Sequence, residues 1–459
     1  MTQLIFNSDL IKKYDKSGPR YTSYPTAVQF TESFAEKEYR NQINVSNERG
    51  TALSLYFHIP FCDTICYYCG CNKIVTKNRS RAQPYLDAIY KEIEMQSSLF
   101  DSSRVVKQLH WGGGTPTFIS HQQMIELMGN TQKRFTLLDD DSGEYSIELD
   151  PREVTRSSVA LLRELGFNRI SLGVQDFNPK VQQAVNRIQS YEKTFDVIDA
   201  ARKNNFHSIS LDLIYGLPHQ TVASFNETVD KILDLEPDRL SVFNYAHMPE
   251  MFKTQRQIDE EALPSAEEKL LILHNVTDKL TNAGYEYIGM DHFAKPHDEL
   301  AIAQKEKKLN RNFQGYSTNA DCDLVAFGVS SIGKIADSYS QNSKAMAEYI
   351  DNVNSGIIPV FRGIKLTDDD ILRREIINQL ICHFELNINE IEKVFKINFE
   401  DYFSAEIPQL LSMQKDKLVK VTTDYINVFP EGKMLIRNIC MVFDSYLSHS
   451  NQQRFSKVI

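Results

Sequence analysis

Four cysteines lie within ten consecutive residues of this chain, directly after the apolar run 53–61. They are Cys62, Cys66, Cys69 and Cys71, and the first three have the spacing C-x3-C-x2-C. A [4Fe–4S] cluster that is held entirely by protein takes four thiolates, so a loop with three leaves one iron open. An open coordination position distinguishes a catalytic metal centre from a structural one. The spacing therefore predicts a catalytic iron–sulfur cluster.

Three other kinds of cysteine site remain open at this point. Structural zinc favours two C-x2-C pairs, or cysteines combined with histidines at finger spacing, and no second pair follows downstream. The Cys66–Cys69 pair alone has the spacing of a thioredoxin-like redox site, although two further cysteines fit that motif poorly. Disulfides require export, which nothing else in the sequence indicates.

Length and charge narrow the class of protein. The 459 residues are 42% hydrophobic and carry a formal charge of −10, which argues against a general nucleic-acid binder. The N-terminus lacks the features of a signal peptide, and no apolar run approaches the roughly 18 residues of a membrane span. Seven cysteines, of which three are scattered, indicate a reducing compartment. We therefore expect a cytoplasmic protein without a membrane span. We also expect a monomer.

Strand-like and helical segments alternate from residue 53 onward, which predicts parallel strands joined by right-handed helical crossovers. The predicted strands are Leu53–Phe61, Gln108–Gly112, Glu144–Asp150, Arg169–Phe177, Ser208–Tyr215 and Arg239–Tyr245. The fold class is thus α/β, an incomplete (β/α) barrel of about six units. We divide the chain into an N-terminal extension (1–50), the partial barrel (51–365) and a mostly helical C-terminal domain (366–459). A capping box at Thr367-x-x-Asp370 opens the last domain, which also holds a short β segment near 418–429.

Polar residues cluster where the predicted strands end, and in such barrels chemistry sits at these ends. Three glycines at 112–114 allow close approach to the backbone and leave N–H groups for an anion. Glu148 and Asp150 lie two apart on one strand and are predicted to share a face. Asp212 interrupts an apolar strand and needs a partner or a polar ligand. Salt-bridged core acids explain such residues equally well at this point.

Several motifs together carry a family resemblance that covers essentially the whole chain. They are the segment Ser17–Thr26, the cysteine loop with Gly70 to Lys73, Gln108–Thr117, Leu213–Pro218, Asn244–His247, Arg437–Cys440 and the closing Arg454–Ile459. The C-x3-C-x2-C loop resembles the radical S-adenosylmethionine superfamily. The full set resembles the bacterial oxygen-independent coproporphyrinogen III oxidases.

The resemblance implies one [4Fe–4S] cluster and two S-adenosylmethionine molecules. Cys62, Cys66 and Cys69 would ligate the cluster, whereas Cys71 would not. The residues implied at the first S-adenosylmethionine are Tyr56, Gly113, Glu148 and Ile332. Those implied at the second are Tyr68, Gly114, Thr115, Gln175, Arg187, Asp212 and Ala246. Tyr68 replaces a phenylalanine of the family pattern, so its hydroxyl needs a polar partner.

The implied activity is radical oxidative decarboxylation, without oxygen, of two propionates of coproporphyrinogen III to vinyl groups. A 5′-deoxyadenosyl radical would abstract hydrogen, and the product, protoporphyrinogen IX, belongs to haem biosynthesis. An external electron donor and an acceptor are implied as partners. We expect the N-terminal extension to act as a substrate lid, with Arg20 as a possible substrate contact. The alternative is a haem-binding chaperone of the same superfamily, which lacks the Ser17–Thr26 segment and the fourth cysteine.

Overall fold

The computed structural model describes residues 4–319 and 321–447. Its α-helices are α1 (Ser8–Lys13), α2 (Glu36–Arg49), α3 (Ala82–Ser97), α4 (His121–Arg134), α5 (Arg156–Glu164), α6 (Pro179–Ala184), α7 (Tyr191–Lys203), α8 (Val222–Asp234), α9 (Ala266–Asn282), α10 (Glu299–Lys305), α11 (Met346–Asn354), α12 (Asp368–His383), α13 (Ile388–Phe395), α14 (Phe399–Tyr402), α15 (Ile407–Lys415) and α16 (Ile436–Met441). None of the helices in these ranges is both long enough and apolar enough to cross a bilayer.

The strands and the short 3₁₀ helices complete the described elements. The strands are β1 (Leu53–Ile59), β2 (Phe61–Cys62), β3 (Ile74–Val75), β4 (Val105–Gly113), β5 (Thr136–Leu137), β6 (Glu144–Leu149), β7 (Arg169–Gln175), β8 (Ser208–Tyr215), β9 (Arg239–Asn244), β10 (Glu286–Gly289), β11 (His292–Ala294), β12 (Asn310–Asn312), β13 (Gly315–Ser317), β14 (Asp323–Phe327), β15 (Ile332–Ile335), β16 (Ser338–Asn342), β17 (Val360–Lys365), β18 (Glu385–Asn387), β19 (Val419–Val421) and β20 (Tyr425–Val428). The 3₁₀ helices are Ala27–Gln29, Arg79–Arg81, Pro116–Phe118, Pro151–Glu153, Lys253–Gln257, Glu260–Ala262 and Lys433–Leu435.

The chain forms two compact units, which we call the sheet unit and the helical unit. The sheet unit comprises Gln29–Pro264 and Asp321–Lys365. The helical unit comprises the described residues of Met1–Val28, Ser265–Ala320 and Leu366–Ile459. The division into 1–50, 51–365 and 366–459 stays a prediction about domains.

One mixed sheet forms the centre of the sheet unit. Its strand order is β9-β8-β7-β6-β4-β1-β14-β15-β16-β17, with β5 added beside β4. The pairings from β9 through β1 to β14 are parallel, and those from β14 to β17 are antiparallel. All six predicted strands are therefore confirmed, in chain order and in parallel. The prediction missed β14–β17, which extend the sheet on the far side of β1.

The strand β1 shows why the sheet has one apolar face and one polar face. Phe57 stacks on Phe327 with ring centroids 4.8 Å apart and meets the edge of Trp111 at 6.4 Å. Trp111 in turn packs at 4.9 Å against Phe167. Side chains alternate along a strand, so the residues between these aromatics, such as Tyr56, point to the other face. The apolar face builds the core, and the other face is free for polar chemistry.

The helices of the sheet unit begin at residues that their sequences mark. Ser120, Thr155 and Thr221 each accept a hydrogen bond from a backbone N–H in the first turn of α4, α5 and α8. Such caps satisfy N–H groups that have no partner within the helix. Helix α5 ends before Gly166, whose φ of +97° is the left-handed conformation that glycine adopts readily.

The helical unit contains α1, α9, α10 and α12–α16 together with small antiparallel sheets. The predicted capping box at the start of α12 is confirmed, because Thr367 accepts from the Asp370 N–H at 3.1 Å. The predicted β segment is also confirmed, as β19 and β20 form a three-stranded sheet with β18. The closing motif 454–459 lies outside the described residues.

Candidate active site

The cysteine loop begins at the end of β1 and is closed by a short parallel bridge between β2 and β3. Two further hydrogen bonds fix its middle. The Tyr67 N–H donates to Val185 O at 3.0 Å, and Asn186 Nδ2 donates to Ile65 O at 2.7 Å. The loop is thus held at both ends and against the end of α6.

A 3₁₀ segment, Lys253–Gln257, supports the same loop from the other side. The buried amide of Gln255 donates from Nε2 to Tyr68 O at 3.1 Å and to Ala246 O at 3.2 Å. Thr254 Oγ1 donates to Cys69 O at 3.1 Å. Phe252 lies so close to Gly70 that a Cβ on this glycine would be 3.1 Å from the ring. We call residues 252–255 the loop clamp.

The glycine turn after β4 lies directly against the cysteine loop. The N–H groups of Gly114 and Thr115 donate to Ile59 O and Phe61 O, each at 2.8 Å. A Cβ at Gly114 would be 2.9 Å from Cys62 Sγ and 2.7 Å from Phe61 O. The backbone therefore approaches the first cysteine more closely than any other residue type would allow.

The thiols of the loop differ in their surroundings. Burial raises the pKa of Cys62 to about 11, although a hydrogen bond with Thr115 opposes that shift. The pKa of Cys69 is lowered to about 6, first by a hydrogen bond with Cys71 and also by the charge of Lys73, whose Nζ donates to Cys69 O at 2.9 Å. Cys66 is buried. A thiolate is the form that ligates a metal.

Two arginines lie against Cys66 and share one carboxylate. Arg187 Nη1 is 3.6 Å and Arg152 Nη2 is 3.7 Å from Cys66 Sγ. Both pair with Asp150, at 3.1 Å and 2.6 Å respectively. Burial opposes ionisation of Asp150, but Arg187 and Arg152 hold its pKa below the ordinary value. The Tyr68 side chain also lies beside Cys66.

A second group of polar side chains surrounds Glu148. Its Oε2 accepts from the Gly113 N–H at 3.0 Å, and its Oε1 lies 3.5 Å from His110 Nε2. Desolvation raises the pKa of Glu148, yet His110 and the Gly113 N–H bring it below the ordinary value. The Tyr56 ring stacks on His110 at 5.8 Å, and its hydroxyl lies 3.0 Å from His58 Nδ1.

Glu148 and Asp150 therefore belong to two different groups. Glu148 lies on β6, whereas Asp150 follows the strand and caps the 3₁₀ helix Pro151–Glu153. One acid borders the glycine turn and the other borders Cys66.

Several buried polar atoms near the ends of β7 and β9 have no protein partner. They are Gln175 Oε1, Arg187 Nε and Asn244 Oδ1. A Cβ at Gly173 would be 2.7 Å from Gln175 Nε2 and 3.2 Å from Arg187 Nη2, so the glycine leaves room for both side chains. Unpaired buried polar atoms cost free energy, and a polar ligand relieves that cost.

Asp212 has the partners that its apolar strand required. Ser171 Oγ donates to its Oδ2 at 3.3 Å, and Ser241 hydrogen-bonds to the same side chain. Burial nevertheless raises the pKa of Asp212 to about 6.

The remaining predicted residues fall in both units. Ala246 follows β9 and Ile332 begins β15, so both lie in the sheet unit with every other predicted cofactor residue. Cys71 is exposed. Arg20 lies in the helical unit and forms an ion pair with Asp291.

The thiols and the open polar atoms fit an iron–sulfur cluster with a polar organic cofactor. All seven cysteines are free thiols. Within residues 4–319 and 321–447, no three His, Cys, Asp or Glu side chains converge closely enough to hold a single metal ion.

Sequence matches to known proteins support this chemistry over the full chain. A family model described as the radical SAM superfamily matches residues 56–232. The oxygen-independent coproporphyrinogen III oxidase of Pseudomonas aeruginosa is 53% identical over 454 residues, which cover 99% of each chain. The Escherichia coli protein of the same name is 49% identical, covering 100% of this chain and 99% of its own. This chain belongs to the oxygen-independent coproporphyrinogen III oxidase family.

A solved structure extends the match to the fold. Coproporphyrinogen III oxidase from Escherichia coli, described as a radical SAM enzyme, has a TM-score of 0.93 and 47% sequence identity. The match covers 97% of this chain and 100% of the other. The radical SAM α/β fold, with a mixed sheet and surrounding helices, is thus confirmed. As a family member, this chain uses a [4Fe–4S] cluster and S-adenosylmethionine, so the zinc, redox-pair and disulfide alternatives are wrong.

Sequence reasoning missed four residues that this oxidase-family site brings together, namely Arg152, His110, Asn244 and Gln255. Asn244 and His110 lie inside motifs of the family resemblance, but nothing local separates a ligand contact from a structural residue there. Gln255 is 187 residues from the Tyr68 carbonyl that it binds, and no sequence period signals such a pairing.

Proposed function

We propose that this chain catalyses the oxidative decarboxylation of two propionates of coproporphyrinogen III to vinyl groups, giving protoporphyrinogen IX in haem biosynthesis. The observation that carries the proposal is 53% identity to a curated oxidase over 99% of both chains. The reaction uses no oxygen. At each propionate the β-carbon loses a hydrogen atom, the bond to the carboxylate breaks, carbon dioxide leaves and one electron passes to an external acceptor.

Cys62, Cys66 and Cys69 hold the cluster in this proposal. When bound, the cluster supplies an electron from an external donor that cleaves S-adenosylmethionine to a 5′-deoxyadenosyl radical. Two arginines lie beside Cys66, and hydrogen bonds to cluster sulfur influence the reduction potential. Cys71 lies outside the ligand set and is exposed.

Two S-adenosylmethionine molecules occupy the polar face of the sheet. The residues of the first site are Tyr56, Gly113, Glu148 and Ile332. The residues of the second site are Tyr68, Gly114, Thr115, Gln175, Arg187, Asp212 and Ala246. The unpartnered atoms Gln175 Oε1 and Arg187 Nε support the second site, because a polar cofactor supplies the bonds that the protein leaves unmade.

The finer architecture belongs to the same proposal. The six parallel strands curve into an incomplete (β/α) barrel, and residues 366–459 act as a C-terminal domain. Residues 1–50 shield the reactive intermediate from water, and Arg20 contacts a substrate carboxylate. We further propose a monomeric enzyme of the cytoplasm that exchanges electrons with separate donor and acceptor molecules.

An anaerobic assay of the reconstituted chain tests the function. The chain is supplied with S-adenosylmethionine, a reductant, an electron acceptor and coproporphyrinogen III. We expect protoporphyrin, measured by fluorescence after oxidation, and 5′-deoxyadenosine, measured by chromatography. Both products should vanish in Cys62→Ala and persist in Cys322→Ala, a cysteine outside the loop.

The outcomes of this assay separate the competing functions. Deoxyadenosine without protoporphyrin would keep the radical chemistry but require another substrate. Neither product from a chain with an intact cluster, together with tight haem binding, would favour the haem-binding chaperone.

A further inference from the structure

Three arginines of the helical unit lie close together around the backbone of residues 18–20. Arg437 Nε donates to Pro19 O at 3.0 Å, and Arg437 also donates to Gly18 O. Arg311 Nε donates to Arg20 O at 3.4 Å. Two guanidinium groups thus hold the main chain that carries a third. We call Arg20, Arg311 and Arg437 the arginine cluster.

Acidic residues contact Arg20 and its neighbour Tyr21. Asp291 pairs with Arg20, and Asp444 accepts a hydrogen bond from Tyr21 at 2.9 Å. Burial and, after it, the charge of Arg20 lower the pKa of Arg437 to about 10. Like charges held together in a partly buried site repel one another, and an anion between them relieves the repulsion.

Arg311 retains hydrogen-bonding capacity in this site. Its Nη1 is buried and has no protein partner, while its guanidinium lies 4.7 Å from the centre of the Tyr316 ring. This cation–π contact restrains the position of the guanidinium. On the same hairpin, Gln314 Nε2 is a second buried donor without a partner. Both atoms are N–H donors, so the missing partner is an acceptor.

The geometry points to a carboxylate-binding site at the arginine cluster, which holds a propionate of the substrate. This inference rests on the proposed function, because coproporphyrinogen III carries four propionates and keeps two of them through the reaction. A guanidinium matches a carboxylate with paired N–H donors, which makes arginine better suited to this task than lysine. Arg311 supplies the open donors, and Arg437 positions the segment that carries Arg20.

Porphyrin binding tests the site without depending on turnover. Coproporphyrin III is a stable, fluorescent tetracarboxylate of the substrate's shape, and its tetra-amide has the same shape without charge. Titration of the reconstituted chain gives a Kd for each ligand. We expect Arg311→Gln to raise the Kd of coproporphyrin at least tenfold and to change the Kd of the tetra-amide less than twofold.

A matched control separates local binding from net charge. Lys308→Gln removes one positive charge three residues away, at an exposed side chain that pairs with Glu306. This variant should bind both ligands as the unaltered chain does. Arg437→Lys keeps the charge but loses the paired donors, so it should weaken coproporphyrin binding by less than Arg311→Gln.

Two results would overturn the site. Unchanged binding of coproporphyrin in Arg311→Gln would show that the cluster does not contact a carboxylate. Equal weakening of both ligands would show a purely structural role. The product assay on the unaltered chain keeps the two proposals apart. Porphyrin binding without product would contradict the proposed function alone, and product formation with an unaffected Arg311→Gln would contradict the carboxylate site alone.

Discussion

Two polar groups of the sheet unit differ in how completely their hydrogen bonds are made. The buried carboxylate of Glu92 accepts from Gly328 N at 2.8 Å, Tyr349 Oη at 2.6 Å, Asn342 Nδ2 at 2.8 Å and Gln96 Nε2 at 2.9 Å. The group at the ends of β7 and β9 instead leaves Gln175 Oε1, Arg187 Nε and Asn244 Oδ1 without partners.

This difference separates buried polar residues that stabilise the fold from those that are available to a ligand. Four donors around Glu92 offset the cost of burying a carboxylate, so that group joins the sheet to α3 and α11. In the group at the ends of β7 and β9, which we call the open group, the unpaired atoms add nothing to the stability of the fold. The free energy lost by burying these unpaired atoms is regained only when a ligand supplies the missing hydrogen bonds, as expected of a binding site.

The largest expected effect is a loss of stability when the hydrogen-bond network of Glu92 is broken. Glu92→Ala removes the acceptor of four donors and leaves a cavity, so the free energy of unfolding should fall by about 4 kcal/mol. Denaturant unfolding of the purified chain measures this value. Glu94→Ala, an exposed neighbour on α3, is the control. A loss below about 1 kcal/mol would contradict the structural role of the network.

The next effect concerns Asp212 and depends on pH. Its pKa is about 6 in the folded chain against an ordinary value of 3.8. The folded state therefore retains a proton that the unfolded state has lost, so stability should fall as pH rises from about 4 through 6 and then level off. The decline is at most about 3 kcal/mol.

Asp212→Asn tests this pH dependence, because the amide cannot ionise. Its unfolding free energy, measured in urea without cofactor from pH 4 to 7, should lack the decline that the unaltered chain shows. Parallel curves for the two chains would mean that Asp212 ionises normally in the fold. The variant should also bind S-adenosylmethionine more weakly if the carboxylate contacts the cofactor.

A smaller effect on stability is expected from a substitution in the open group. Gln175→Ala removes an unpaired acceptor, so it should cost the fold less than about 1 kcal/mol. Binding of S-adenosylmethionine, measured by equilibrium dialysis of the reconstituted chain, should weaken roughly tenfold. Gln183→Ala, on the exposed side of α6, should change neither quantity. A Gln175→Ala chain that loses stability but binds normally would remove the contrast with Glu92.

The smallest effect concerns the loop clamp. Gln255→Ala removes two donors from the carbonyls of Tyr68 and Ala246 while keeping all three proposed cluster cysteines. We expect the cluster to form but to release iron to a chelator several-fold faster, because the loop around it is less fixed. The exposed Gln257→Ala, in the same 3₁₀ helix, serves as the control. Equal iron release from both variants would show that the clamp does not support the cluster.

Local sequence was enough to predict much of the fold and part of the site. The cysteine spacing predicted the loop, and alternating apolar segments predicted six parallel strands, because both signals lie within a few neighbouring residues. The capping box at Thr367 and Asp370 was found for the same reason. The strands β14–β17 were missed, since residues 265–320 separate them from the strands that they join.

The amino-acid sequence alone was sufficient for the family and the kind of cofactor, and it predicted the edge of the sheet at which the polar residues gather. Which polar residues belong to a fully hydrogen-bonded network, and which keep unpaired atoms, depends on the tertiary structure. Glu92 meets Asn342 across 250 residues, and Gln255 meets Tyr68 across 187. Such pairs depend on how strands and loops are brought together in space, and hydrogen-bond satisfaction is a property of that packing.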